Sequence, residues 1–186
     1  MDIEEFQKNF PPSVEMPEIL IRLLTFQNIR DEYFGSFSLI EFSRDDVLSW
    51  FGGNKQAASQ FIIFGHSPAG ASYGYWLYDK HTIDTAPIVV IGFGGDGNTV
   101  VANSLQDFLR VVSIGEDPLC YVITEWGWSD RNEIEVDENL ESYRQWLWRE
   151  LALTVPSVEE ADAIVTSAKN VHPDLDQWIQ QLYGND

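Results

Sequence analysis

Two stretches of this 186-residue chain carry letters that elsewhere do chemistry. The first, Gly65-His66-Ser67-Pro68-Ala69, comes after the apolar run FIIF and has the spacing of a nucleophile elbow, with alanine in place of the last glycine. An elbow sets its serine on a strand-turn-helix and needs an acid and then a histidine later in the chain. The next residues here include Gly70, Gly74 and the aromatics Tyr73, Tyr75, Trp76 and Tyr78, which cannot make the buried helix behind an elbow. The later histidines are His81 and His172, and His172-Pro173 stands at a helix start. A β-hairpin turning at Ser67–Gly70 accounts for the same letters. The rival reading, an enzyme using Ser67 with His81 or His172, requires those groups within hydrogen-bond reach.

The second stretch, Gly92-Phe93-Gly94-Gly95-Asp96-Gly97, fits G-x-G-x-x-G. A dinucleotide fingerprint needs those glycines to open a helix whose amides meet pyrophosphate. Here NTVVAN, a β-type run, comes next, and Asp96 would repel a phosphate. A glycine-rich hairpin between two strands fits better. Paired acids such as Asp45/Asp46, Glu159/Glu160 and Asp174/Asp176 read as solvated helix starts. The stretch Asp130–Asp137 lacks the spacing and the glycine of a calcium loop. One cysteine, Cys120, and three scattered histidines make neither a disulfide nor a Cys/His zinc site. No metal, cofactor or catalytic residue is expected.

The elements that would carry any site can be read from pattern and punctuation. Residues 1–17 contain Pro11, Pro12 and Pro17, which leaves a short helix or a flexible arm open. Helical spacing runs from Glu18 to Tyr33, with Gly35 as a stop, and Ser36–Phe42 reads as a strand. Ser43 caps a short helix that ends at Gly52. Phe61–Gly65, Ala71–Asp79, Ala86–Gly94 and Asn98–Asn103 are β-rich runs close enough to form successive antiparallel hairpins. Ser104 caps a helix that buries Leu105, Phe108, Leu109 and Val112 and stops at Gly115. Helical patterns return at Leu140–Leu151, at Ser157–Lys169 and in a last helix ended by Gly184. Trp146 and Trp148 diverge by about 200° on their helix, so one is expected in the core and the other partly exposed.

Charge narrows the function. Thirty acids against eleven Lys and Arg give −19, with 44% hydrophobic and 13% aromatic residues. The aromatics supply a core and argue against disorder. No basic cluster exists to neutralise phosphates, so nucleic acid and anionic membrane are excluded as main partners. The N-terminus MDIEEFQKNF opens with acids rather than with a signal peptide's basic and apolar regions, and no run approaches a membrane span. The expected compartment is the cytoplasm. An acidic surface attracts a basic partner.

The order of the pieces adds a family. SYGYWLYD (Ser72–Asp79), the proline-led strand APIVVIGFG (Ala86–Gly94), the turn GDGN (Gly95–Asn98) and ANSLQDFLRVV (Ala102–Val112) together resemble the SUKH superfamily, which groups bacterial immunity proteins with the yeast Smi/Knr-type cell-wall regulator. The tail HPDLDQWI (His172–Ile179) is similar to the His-Pro…Trp ending frequent there. The likeness covers about residues 60–115 and the tail. It implies one α+β domain over 1–186, with a curved, largely antiparallel sheet packed against helices and the C-terminal helices of 140–186 packed on it. It also implies no catalysis, and in many bacterial members the binding and neutralising of a toxin domain. The GHSPAG turn and the acidic stretch 116–141 match nothing in it.

Nuclease toxins grip phosphates, so their active faces are basic, and a −19 inhibitor complements them. From Glu116 to Glu141 there are nine acids and one basic residue, Arg131, around two tryptophans. Interface centres favour aromatic residues with a few acids. The expected partner-binding residues are therefore Glu125, Trp126, Trp128, Asp130, Glu133 and Glu135, followed by Asp96, Glu116 and Asp117. The bland alternative makes these acids solubility charge and the tryptophans core cover. A second functional reading is an interaction or scaffold module of the same fold that regulates a host protein.

Overall fold

The computed structural model describes residues 1–30, 34–92, 97–115 and 136–183. Its helices are α1 (Ile3–Gln7), α2 (Glu18–Arg30), α3 (Arg44–Trp50), α4 (Lys55–Ala58), α5 (Leu105–Val112), α6 (Glu138–Leu151), α7 (Val158–Val171) and α8 (Leu175–Tyr183). Its strands are β1 (Ser38–Leu39), β2 (Phe61–His66), β3 (Ser72–Trp76), β4 (Ile88–Ile91) and β5 (Thr99–Ala102). Each strand pairs antiparallel with the next, in the order β1-β2-β3-β4-β5, so the expected succession of hairpins is present and the fold is α+β. No helix among the described residues is long and apolar enough to cross a membrane.

Strand alternation sends apolar side chains to both sides of this sheet. Ile62, Phe64, Tyr73, Tyr75, Ile88 and Val90 face one layer, built from α2, α5 and α6. Phe61, Ile63, Trp76, Val89 and Val100 face the other, where Val47, Phe51, Ala57, Ala58, Ala168 and Leu175 cover them. Burying one large apolar side chain is worth roughly 1.5–3 kcal/mol, so neither face could stand uncovered. The stretch 1–17 contributes directly: α1 is closed by a reciprocal Asp2–Glu5 capping box, and Phe6, Phe10 and Met16 lie in the first layer's core. Helix α7 packs along β5 and also meets α5 through Ala161, Val165, Val111 and Ile114. The C-terminal helices thus close one edge and one face.

The punctuation read from sequence does what it was expected to do at two helix starts. The Ser43 hydroxyl accepts the Asp45 amide at 3.1 Å, and the Ser104 hydroxyl accepts the Asp107 amide at 3.1 Å. The structure departs from expectation at three places. β1 keeps only two residues of the expected Ser36–Phe42 strand, because side-chain amides occupy its outer edge. Gln27 takes both backbone groups of Leu39, at 2.6 and 2.9 Å, and Asn9 bonds the Ile40 carbonyl at 2.7 Å and the Phe42 amide at 2.8 Å. An otherwise bare edge, the usual template for unwanted pairing, is thereby satisfied. β3 ends at Trp76 instead of running to Asp79, since Asp79 and Lys80 adopt left-handed φ of 47° and 65° in a 3₁₀ turn over Tyr78–Lys80. Finally, α4 is a helix the periodicity does not reveal; Asn54 caps it by accepting the amides of Gln56 and Ala57, both at 3.1 Å.

Gly65 lets β1 approach the sheet. A Cβ there would fall 2.5 Å from Phe37 Cζ and 3.0 Å from the Ser38 carbonyl oxygen. Phe37 in turn meets Phe34, Phe64, Tyr73 and Phe108 at ring separations of 5.2–6.3 Å. Gly65→Ala must displace this ring and is expected to lower stability by about 2–3 kcal/mol, read as a fall in the urea midpoint at unchanged slope.

Candidate functional site

The nine nominated partner-binding residues lie outside the described residues: Asp96 within 93–96, and Glu116, Asp117, Glu125, Trp126, Trp128, Asp130, Glu133 and Glu135 within 116–135. The structure does describe how the chain is held on either side of the acidic stretch. Gly35, at φ +65°, sits where a Cβ would be 3.3 Å from both the Gly115 Cα and Leu140 Cδ1. Ser36 Oγ also donates to the Gly115 carbonyl at 3.3 Å. The last residue before the acidic stretch and the first turn of α6 after it are therefore gathered at one point on the core. Trp146 and Trp148 divide as expected, at 6% and 59% exposure.

The histidines weighed as partners of Ser67 bond other side chains. The Asn103 amide oxygen accepts from His172 Nε2 at 2.9 Å, which leaves Nδ1 to accept from the Tyr78 hydroxyl at 2.8 Å. Asn103 also donates to Ser167 Oγ at 3.4 Å. His81 lies beside this group, 4.8 Å from the Tyr78 ring and 6.2 Å from the His172 ring, and bonds Thr85. Burial, and then the neighbouring His81, push the His172 pKa down. Ser67 is 1% exposed, and it closes the β2–β3 turn by accepting the Ala71 amide at 3.3 Å and by exchanging backbone bonds with Ala71 and Gly70. The glycine run from Gly92 lies between two strands that pair with each other, not before a helix. Among the described residues, no group of three or more His, Cys, Asp or Glu side chains could hold a metal ion.

A groove lies on the second face, near the end of β4 at Ile91 and the start of β5 after Asn98. It has a volume of 770 Å³ and is walled by Phe42 and α3 on one side and by α8 at Ile179 on the other, with His66, Ser72, Ile91 and Asn98 below. Asp46, Ser49 and Trp50 come from α3; Asp46 and Trp50, four apart, share a face. Trp50 is 38% exposed and tilts against Phe42 with ring centroids 4.8 Å apart. Asn98 is buried and ties the end of β4 to α8, accepting the Gly92 amide at 3.2 Å and donating to Asp176 at 2.8 Å. Partial burial lowers the pKa of His66 as well. No Lys or Arg is among the described residues lining this groove. Periodicity could not have found it, because its walls come from segments far apart in the chain.

Compared with family models, curated proteins and solved structures, the chain finds no match in any of the three. Its function must be argued from its own residues.

Both His66 and His172 favour the neutral ring in the fold, so the unfolded chain binds protons more readily near pH 6. Their contribution to stability is complete above about pH 6.5 and is lost as pH falls through the lowered folded values. Histidine Cε1–H resonances followed by NMR should give midpoints below 6.5 for both residues; a midpoint at or above that value would contradict the burial described.

Proposed function

We propose that this protein is a non-catalytic immunity protein of the SUKH type, acting in the cytoplasm, that binds and neutralises a basic, nuclease-type toxin domain. The observation that carries the reading is that its −19 charge is not cancelled from within. Arg110 donates to the Thr154 carbonyl, Arg144 to the carbonyls of Ser113 and Ile114, and Arg149 to that of Gln145. Arg30 lies over the Phe26 ring at 5.8 Å. Arg22 pairs with Glu18 and Glu150, and Lys8 with Glu41, all on the exposed surface, where an ion pair adds little. Six of the chain's eleven Lys and Arg are thus engaged by backbone carbonyls, an aromatic ring or surface ion pairs, and the acids outnumber all eleven nearly three to one.

A surface of this kind raises the encounter rate with a basic protein and repels nucleic acid, so the inhibitor does not compete for its partner's substrate. The antiparallel succession of hairpins flanked by helices agrees with the family resemblance in outline. Three of the phrases that carry the resemblance also meet in space: Tyr78 from SYGYWLYD, Asn103 from ANSLQDFLRVV and His172 from the His-Pro tail form one hydrogen-bonded group. This ties them into one structural unit, which supports reading them as scaffold; partner binding is assigned to the acidic segment around Glu125–Glu135 on its charge and its tryptophans.

Reversing charge at Glu133 and Glu135, both to Lys, is expected to slow association with a basic partner by about tenfold at low salt and to flatten its salt dependence. Far-UV circular dichroism and the melting temperature should stay as in the parent chain. An unchanged on-rate and salt slope would remove this segment from the interface.

A further inference from the structure

We propose that the groove between α3 and α8 receives an arginine side chain from a basic, extended segment of the protein partner, with the guanidinium stacked on Trp50 and paired with Asp46. The inference deepens the binding reading above, on which its choice of a basic partner rests. Its own support is local.

Asp46 and Trp50 stand four residues apart on α3 and both line the groove, so a carboxylate and an indole belong to the same wall. A planar guanidinium uses both at once: it stacks on the ring and donates in-plane hydrogen bonds to the carboxylate, whereas an ammonium offers only a point charge. Phe42, tilted against Trp50 at 4.8 Å, extends the apolar wall along which the aliphatic stem of an arginine would lie. Among the described residues the charge is complementary. Asp46 lines the groove, the lining residue Asn98 is bonded to a second carboxylate, Asp176, and no Lys or Arg is among the described lining residues. A volume of 770 Å³ is more than one side chain needs and suits a short run of chain on either side of the anchor. The same charge disfavours an acidic peptide, and an apolar peptide would leave Asp46 covered without a partner.

The test is titration of the full chain with hexa-arginine and hexa-lysine peptides at about 50 mM salt, followed by calorimetry and by the Trp50 indole N–H resonance. Hexa-arginine should bind about fivefold more tightly than hexa-lysine and should shift the Trp50 signal. Asp46→Asn and Trp50→Ala should each weaken hexa-arginine about fivefold and reduce its advantage over hexa-lysine. Asp46→Asn is an exposed, near-isosteric change, so it reports even if Trp50→Ala disturbs α3. Equal affinity for the two peptides, untouched by either substitution, would overturn the groove proposal. In that outcome the binding would be diffuse charge attraction, and the basic-partner reading would survive it. Binding that is equally tight for N-acetylarginine amide alone would overturn the protein-segment occupant. The Glu133/Glu135 reversal tests the acidic segment by itself, so failure there leaves the groove result standing.

Discussion

A thin sheet that is apolar on both faces must be covered on both, and the rest of this fold depends on that requirement. On one face the cover is anchored at Phe37, which rests on Gly65 because no side chain intervenes, and gathers Phe34, Phe64, Tyr73 and Phe108 around it. Tyr143 of α6 stacks on Phe34 at 4.6 Å and donates its hydroxyl to the Leu109 carbonyl, so α6 is held to α5 as well as to the core. On the other face the cover is α3 and α4 together with the C-terminal pair of helices. His172 fixes their junction to Tyr78 and Asn103, and Trp178 packs against Phe61 and Trp76 at 5.8 and 5.3 Å. The edges obey the same logic, with side-chain amides on β1 and α7 along β5.

This arrangement bears on charge. With apolar area filling both layers, Arg110 and Arg144 hold carbonyls of a loop and a helix end: Arg144 takes the last carbonyls beyond α5, where a cation is also favoured by the helix dipole. Such positive charge steadies the backbone, while acids such as Asp45, Asp46 and Glu159 remain exposed at helix starts. Net self-repulsion is the consequence of a −19 charge, and a basic partner or added salt relieves it. An uncancelled charge on a well-packed scaffold suits rapid, salt-sensitive association, whereas the polar groups weighed for catalysis are tied into turns and junctions.

The legible parts of the fold are those fixed by local chemistry. Ser43 and Ser104 can be read as caps because a hydroxyl before a helical run has a nearby amide to accept, and the β-branched runs at Ile88–Ile91 and Thr99–Ala102 announce strands. The illegible parts depend on distant partners. Nothing near Leu39 says that Gln27 will take its edge, and nothing near His172 says that Asn103 lies 2.9 Å away. The strand expected through Asp79 stops short because two left-handed residues can be imposed by the surrounding fold without glycine to advertise them. For the site, composition points to acids and tryptophans after Gly115, which fall outside the described residues. The groove of Asp46 and Trp50 escapes because α3 reads alone as an ordinary short helix.

The claim that organises these features is that the unneutralised acidic surface exists to hold a basic protein. It is tested most directly by affinity capture of the tagged chain from its native lysate, eluted first at low and then at high salt, with mass spectrometry of both fractions. The account predicts a basic toxin domain retained at low salt and released at high salt. Recovery of a neutral or acidic partner indifferent to salt, or of nothing at all, would contradict it.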